Sequence, residues 1–182
     1  MKTPRILIVD DHEMVRKGLR VTLESEAKWT VVGEASSGGE AVELARKLKP
    51  DVVVIDLGMP ELNGLEATRR IVRDVPNVRI LVLTVYEAEH VINEVLEAGA
   101  HGYLLKSDAG RELIQAINAL LQDKPYFTSK VARMILNGYL RGKGPAHGSR
   151  PPMSRLSDRE REIVQLLAEG RTSKDVARQL NL

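Results

Sequence analysis

The amino-acid sequence predicts an α/β domain built on a parallel sheet, followed by a small helical segment. Strand-like and helix-like stretches alternate through the first 123 of 182 residues, the pattern of a parallel sheet covered on both faces. The strand candidates are continuous apolar runs, as expected of strands buried on both sides. Four of these runs also end in groups suited to handling phosphate: Asp10-Asp11, Asp56, Thr84 and Lys106. A parallel sheet gathers such endings at one edge, which is where open α/β sheets bind ligands.

In chain order, strands are expected at 5–9, 31–35, 52–55, 80–83 and 102–105. Helices are expected at 12–25, 39–48, 64–73, 88–98 and 111–122. The fourth helix has Val91, Val95 and Leu96 at helical spacing, and the fifth has Leu113, Ile114, Ile117, Leu120 and Leu121. Gly99 stands where a helix C-cap glycine belongs. Ser36-Ser37-Gly38-Gly39 lacks the Lys-Ser/Thr of a P-loop and reads as a loop and N-cap. Trp29 reads as a packing residue, and His12, His90, His101 and His147, which show no metal-ligand spacing, read as surface residues. A sixth helical pattern covers 128–140, with Val131, Met134, Ile135 and Leu140. Residues 141–152, rich in Gly, Pro and Ser, read as a flexible linker.

Beyond the linker, Ser157 with Glu160 and Thr172 with Asp175 have capping-box spacing, and Gly170 lies between the two apolar patterns. Two short helices around a tight turn are the opening of a helix-turn-helix. The chain therefore divides into an α/β domain at 1–123, a linker with one helix at 124–155, and an incomplete helix-turn-helix at 156–182. Ile163, Val164, Leu167, Val176, Leu180 and Leu182 give apolar faces that two helices cannot bury alone. This tail is expected to be mobile or covered by a partner.

Composition limits the functional classes. An apolar content of 43% and a charged content of 29% belong to a soluble globular protein. The chain has no cysteine, which excludes disulfides and thiolate metal sites. No apolar stretch is long enough for a secretory signal or a membrane span, so the expected location is cytoplasmic, without a membrane partner. The net charge of +2 conceals a segregation. Residues 1–123 hold 15 Lys/Arg against 20 Asp/Glu, whereas residues 124–157 hold seven basic residues and no acidic one. Clustered Lys/Arg either keep a linker solvated or attract nucleic-acid phosphates.

Asp10, Asp11 and Asp56 at neighbouring strand ends would repel one another unless a cation sat among them. A hard divalent ion such as Mg²⁺ suits oxygen ligands of this kind, and one carboxylate can then act as a nucleophile towards a phosphoryl group. A lysine ammonium and a hydroxyl would complete the cage around that group. The set Asp10-Asp11, Asp56-Leu57-Gly58-Met59-Pro60, Thr84 and Lys106 resembles the receiver domain of two-component response regulators, from residue 5 to about 122. The resemblance implies a flavodoxin-like sheet of five strands in the order 2-1-3-4-5.

The resemblance further implies that Asp56 accepts phosphate from a sensor histidine kinase. Asp11, Asp56 and the Gly58 carbonyl would ligate Mg²⁺, with Asp10 acting through a water. Thr84 and Tyr103 would be the switch pair, Thr84 moving to the phosphoryl oxygen while Tyr103 turns inward, and Lys106 would hold a phosphate oxygen. Ser107 departs from the pattern, since many receivers have proline there. Such a domain phosphorylates itself in the presence of Mg²⁺ and loses the phosphate slowly, without being an ordinary enzyme. A phosphohydrolase using Asp10 as nucleophile is the weaker reading, because Asp11-His12 stands where such enzymes resemble an x-Asp-Gly-Thr pattern.

The tail, with Leu156-Ser157-Asp158-Arg159-Glu160 and Glu169-Gly170-Arg171-Thr172-Ser173-Lys174, resembles the start of the NarL/LuxR-type DNA-binding domain. In that family the third helix reads the major groove, and the sequence here ends after the second. Arg171, Thr172 and Lys174 are candidates for DNA-phosphate contacts, which position a protein without reading sequence. The resemblance thus implies a phosphorylation-controlled transcriptional regulator that forms a homodimer on phosphorylation and binds DNA if the missing C-terminal helices exist in the native protein. The alternative is a truncated regulator that acts through protein contact or phosphate sequestration.

Overall fold

A computed structural model describes residues 3–26 and 28–140. Its elements alternate: β1 (Arg5–Val9), α1 (Glu13–Glu24), β2 (Thr30–Ala35), α2 (Gly38–Leu48), β3 (Val52–Ile55), α3 (Gly64–Asp74), β4 (Arg79–Thr84), α4 (Glu89–Glu97), β5 (Gly102–Leu105), α5 (Ala109–Leu121), β6 (Tyr126–Phe127) and α6 (Ser129–Leu140). The strands form one sheet in the order β2-β1-β3-β4-β5-β6, with every pairing parallel.

The sheet therefore has six strands where the sequence predicts five. The sixth pairs Gly102 with Tyr126 and Tyr103 with Phe127, covering the edge that β5 would otherwise expose. A two-residue strand is too short to carry a period-2 signature, so 124–128 reads as linker. The first five strands keep the predicted order.

Side-chain parity sorts the core into two layers, since successive residues of a strand face opposite sides. Ile6 and Ile8, Val52 and Val54, and Leu81 and Leu83 pack with Leu19 and Leu23 of α1 and Leu113, Ile117 and Leu120 of α5. Leu7 and Val9, Val53 and Ile55, and Ile80 and Val82 pack with α2, α3 and α4 through Ala41, Ala45, Ala67, Ile71, Ile92 and Val95. Val131 of α6 joins this second layer. The strands thus read as unbroken apolar runs because each residue has a buried face waiting for it. Trp29 packs half-buried against the first layer.

Local chemistry sets the element ends. The Ser37 side chain caps α2 by accepting from Glu40 N, and Asn63 caps α3 by accepting from Glu66 N at 2.9 Å. Gly99 follows α4 with φ +92°, the left-handed geometry that favours glycine after a helix. Helix α5 starts at Ala109, two residues before the predicted start, with Asp108 in the cap position. The predicted helices at 157–180 and the linker at 141–152 lie outside the described residues.

Candidate functional site

Each chemical group of the site lies at or just past the C-terminal end of a strand. The ladder continues one residue beyond three strands: Asp10 N donates to Ala35 O, Asp56 N to Val9 O and Lys106 N to Thr84 O, at 3.1, 2.9 and 2.8 Å. Backbone pairing therefore fixes where these side chains start. It also brings together residues nearly 100 positions apart in sequence.

Lys106 Nζ stands 2.6 Å from Asp10 Oδ2 and 2.8 Å from Asp56 Oδ2. Asp56 Oδ1 accepts from its neighbour Leu57 N at 2.7 Å. Asp10 and Asp56 are buried, and Lys106 reaches them from a partly exposed position. Burial alone would pull the Lys106 ammonium below its ordinary pKa. Hydrogen bonding and charge from Asp10 and Asp56 outweigh that effect and hold it above the usual lysine value.

The remaining predicted residues take different places. Asp11 faces His12, with Oδ1 2.8 Å from the ring Nδ1. Gly58 lies against Asp56, where an added Cβ would stand 3.8 Å from Asp56 Oδ2 and 3.7 Å from the Tyr86 hydroxyl. Thr84 is fully buried and its Oγ1 accepts from Tyr86 N at 3.4 Å. The Tyr103 ring is fully buried, and its hydroxyl donates to Tyr86 O at 2.7 Å. Burial and the nearby Glu87 charge push that hydroxyl up to about 12. Arg171, Thr172 and Lys174 lie outside the described residues.

Several neighbours have no role in the site that the sequence pattern alone shows. His12 N donates to Asp10 Oδ1 at 2.9 Å, which orients that carboxylate, and Arg16 donates to the Asp10 carbonyl at 2.7 Å. His12 is exposed as expected, yet it borders the carboxylates. His101 is not a surface residue: it is half-buried, and its Nδ1 accepts from Ile80 N at 3.3 Å. Burial and the Arg79 charge lower its pKa. Gly64 approaches most closely, since a Cβ there would stand 1.8 Å from the Asp56 carbonyl oxygen. The sequence signal for Gly64 was faint, a glycine directly after the N-cap Asn63.

Two buried carboxylate oxygens, Asp10 Oδ2 and Asp11 Oδ1, receive no directed hydrogen bond. Lys106 Nζ lies 2.6 Å from Asp10 Oδ2, and the His12 ring Nδ1 lies 2.8 Å from Asp11 Oδ1. Asp10, Asp11 and His12 each offer a ligand atom, all within 4.8 Å of one another. Two adjacent carboxylates with buried oxygens, beside the His12 ring, fit a hard divalent cation.

A parallel α/β sheet with paired aspartates, a buried third aspartate and a lysine at one edge defines a response-regulator receiver. The model of the response regulator receiver domain matches residues 6–118, and that of bacterial regulatory proteins of the luxR family matches residues 154–182. The chain is 43% identical to the transcriptional regulatory protein LiaR of Bacillus subtilis, over 97% of this chain and 82% of that protein. The crystal structure of a LuxR-family two-component response regulator from Aurantimonas sp. SI85-9A1 is similar with a TM-score of 0.72 and 40% identity, covering 76% of this chain and 99% of that one. RcsB from Salmonella enterica serovar Typhimurium, bound to promoter P1flhDC in the presence of phosphomimetic BeF3-, is similar with a TM-score of 0.73 and 30% identity, covering 99% and 84%. The chain belongs to the NarL/LuxR-type response regulators and is a transcription-regulating member of that class. No helix among the described residues is long and apolar enough to cross a membrane.

Proposed function

We propose that Asp56 accepts a phosphoryl group from the phosphohistidine of a sensor histidine kinase, and that this event controls transcription through the luxR-type segment. An Asp56 carboxylate oxygen attacks phosphorus. The phosphorus–nitrogen bond breaks, and its electron pair stays on the departing imidazole. Positioning and charge neutralisation supply most of the catalysis in such transfers. The observation that carries this reading is the fixation of Asp56, with one carboxylate oxygen on Leu57 N and the other on Lys106.

Asp11, Asp56 and the Gly58 carbonyl would hold Mg²⁺, with Asp10 acting through a water. Bound there, the ion would neutralise charge on the transferring group. Lys106 then stabilises a phosphoryl oxygen as a point charge. Thr84 Oγ1 turns from Tyr86 N to donate to another phosphoryl oxygen, while Tyr103, expected to turn inward, already has its ring buried and keeps that position. This rearrangement alters the surface around α4 and β5, favouring a homodimer and DNA contact through residues that include Arg171, Thr172 and Lys174.

The test is labelling by a small phosphodonor in Mg²⁺, followed by borohydride reduction of the acyl phosphate and mapping of the modified residue. Asp56→Asn is expected to abolish uptake. Undiminished labelling of that variant overturns the assignment.

A further inference from the structure

The sixth strand and sixth helix attach to the receiver beside the loop that follows Thr84. Thr128 caps α6, its Oγ1 accepting from Val131 N at 3.3 Å. Val131 is 2% exposed in the layer that contains Ile92, Val95 and Tyr103, and Met134 and Ile135 pack against that layer. Lys130, one residue before this apolar seat, forms an ion pair with Glu87.

Glu87 belongs to the short segment between β4 and α4. Val85 and Tyr86 in that segment are 68% and 49% exposed, so burial does little to hold it. Three polar ties fasten it instead. Tyr86 N donates to Thr84 Oγ1, Tyr103 Oη donates to Tyr86 O, and Lys130 pairs with Glu87. Two of these ties run to the switch pair, and the third runs to α6.

We propose that the Glu87–Lys130 pair is a latch, through which phosphorylation of Asp56 loosens α6 and so signals towards the segment beyond residue 140. The proposal rests on the Asp56 reading above. When Thr84 Oγ1 turns to a phosphoryl oxygen, it gives up Tyr86 N and one of the three ties is lost. The segment follows Thr84, carrying Glu87 away from Lys130. Helix α6 keeps its apolar seat on α4 but loses the polar tie at its first turn. Helix α6 ends at Leu140, so its fraying is the form in which the signal leaves the receiver.

The pair is exposed on both sides, 56% for Lys130 and 46% for Glu87. Exposed pairs contribute little, so the expected response is modest, about a fivefold change in local opening. The experiment is hydrogen exchange of the full 182-residue chain with and without beryllofluoride in Mg²⁺. Amides of residues 131–136 are expected to exchange about fivefold faster with the phosphoryl analogue. Lys130→Gln and Glu87→Gln should each bring that faster exchange without the analogue and leave little further increment. Both should still take up phosphate on Asp56. The latch is overturned if the analogue alters residues 84–88 while residues 131–136 stay unchanged or gain protection. A chain that responds nowhere overturns the latch together with the Asp56 reading, which the labelling of Asp56→Asn tests separately.

Discussion

At the scale of single residues, burial and ion pairing act in opposite directions on Lys106, and the two carboxylates decide the outcome. The same ammonium spans Asp10 and Asp56, so its removal leaves two buried carboxylates facing each other without a counter-charge. Lys106→Gln is expected to slow labelling of Asp56 by a small phosphodonor about a hundredfold, the usual scale for loss of one electrostatic stabiliser. Rapid labelling of the variant would remove Lys106 from the site. Gly64 makes a different demand, because backbone rather than side chain blocks a Cβ there. Gly64→Ala should destabilise the domain by about 3 kcal/mol or more, since rotamer changes cannot relieve the clash. Gly39 in α2 has nothing within 4 Å, so Gly39→Ala is the control, neutral or stabilising in urea denaturation.

Among the elements, the ones legible in the sequence share a physical reason. Runs such as Val52–Ile55 are buried on both faces, and four of the five predicted runs end in a residue needed at the sheet edge, so pattern and chemistry coincide at Asp10, Asp56, Thr84 and Lys106. Gly64, Arg16 and His12 escaped because their roles depend on what lies across space. Strand β6 escaped because two residues have no periodicity. Its consequence falls on α6, whose helical pattern was plain but whose seat on α4 was not. Val131→Ala should lower stability by about 2 kcal/mol through lost burial and a small cavity, seen as a lower urea midpoint. An unchanged midpoint would show that α6 is not part of the cooperative unit. Helices α2 and α3 are joined differently, through Asp74, which accepts from Arg46 and Arg73. Those guanidinium groups hold Asp74 at about 2, below its ordinary 3.8. A depressed carboxylate pKa stabilises the fold above the unfolded value and loses that effect as pH falls through the folded one. The stability gap between the native chain and Asp74→Asn should therefore be constant above about pH 5 and close between pH 4 and 2. A gap that stays constant to pH 2 would contradict the pairing.

For the molecule as a whole, charge is divided along the chain in a way that bears on its partner. Residues 1–123 carry an acidic excess of five, whereas 124–157 carry seven basic residues and no acidic one. The acidic excess of residues 1–123 disfavours a polyanion on that domain, so attraction for DNA is expected from residues after 123. Such binding is dominated by counterion release, and each phosphate contact adds about 0.9 to the magnitude of the slope of log K against log salt. Titrating the 182-residue chain with duplex DNA at several salt concentrations should give a steep slope. Arg171→Ala and Lys174→Ala should each reduce the slope by about 0.9 and weaken binding equally on related and unrelated sequences. A variant that instead loses discrimination between sequences would be reading bases, which contradicts the assignment to phosphates. If the chain binds no DNA even at low salt while Asp56 still takes up phosphate, its output is protein contact or phosphate sequestration. Those two results separate the rival functions because DNA attraction depends on basic residues after 123 and phosphate uptake depends on Asp56.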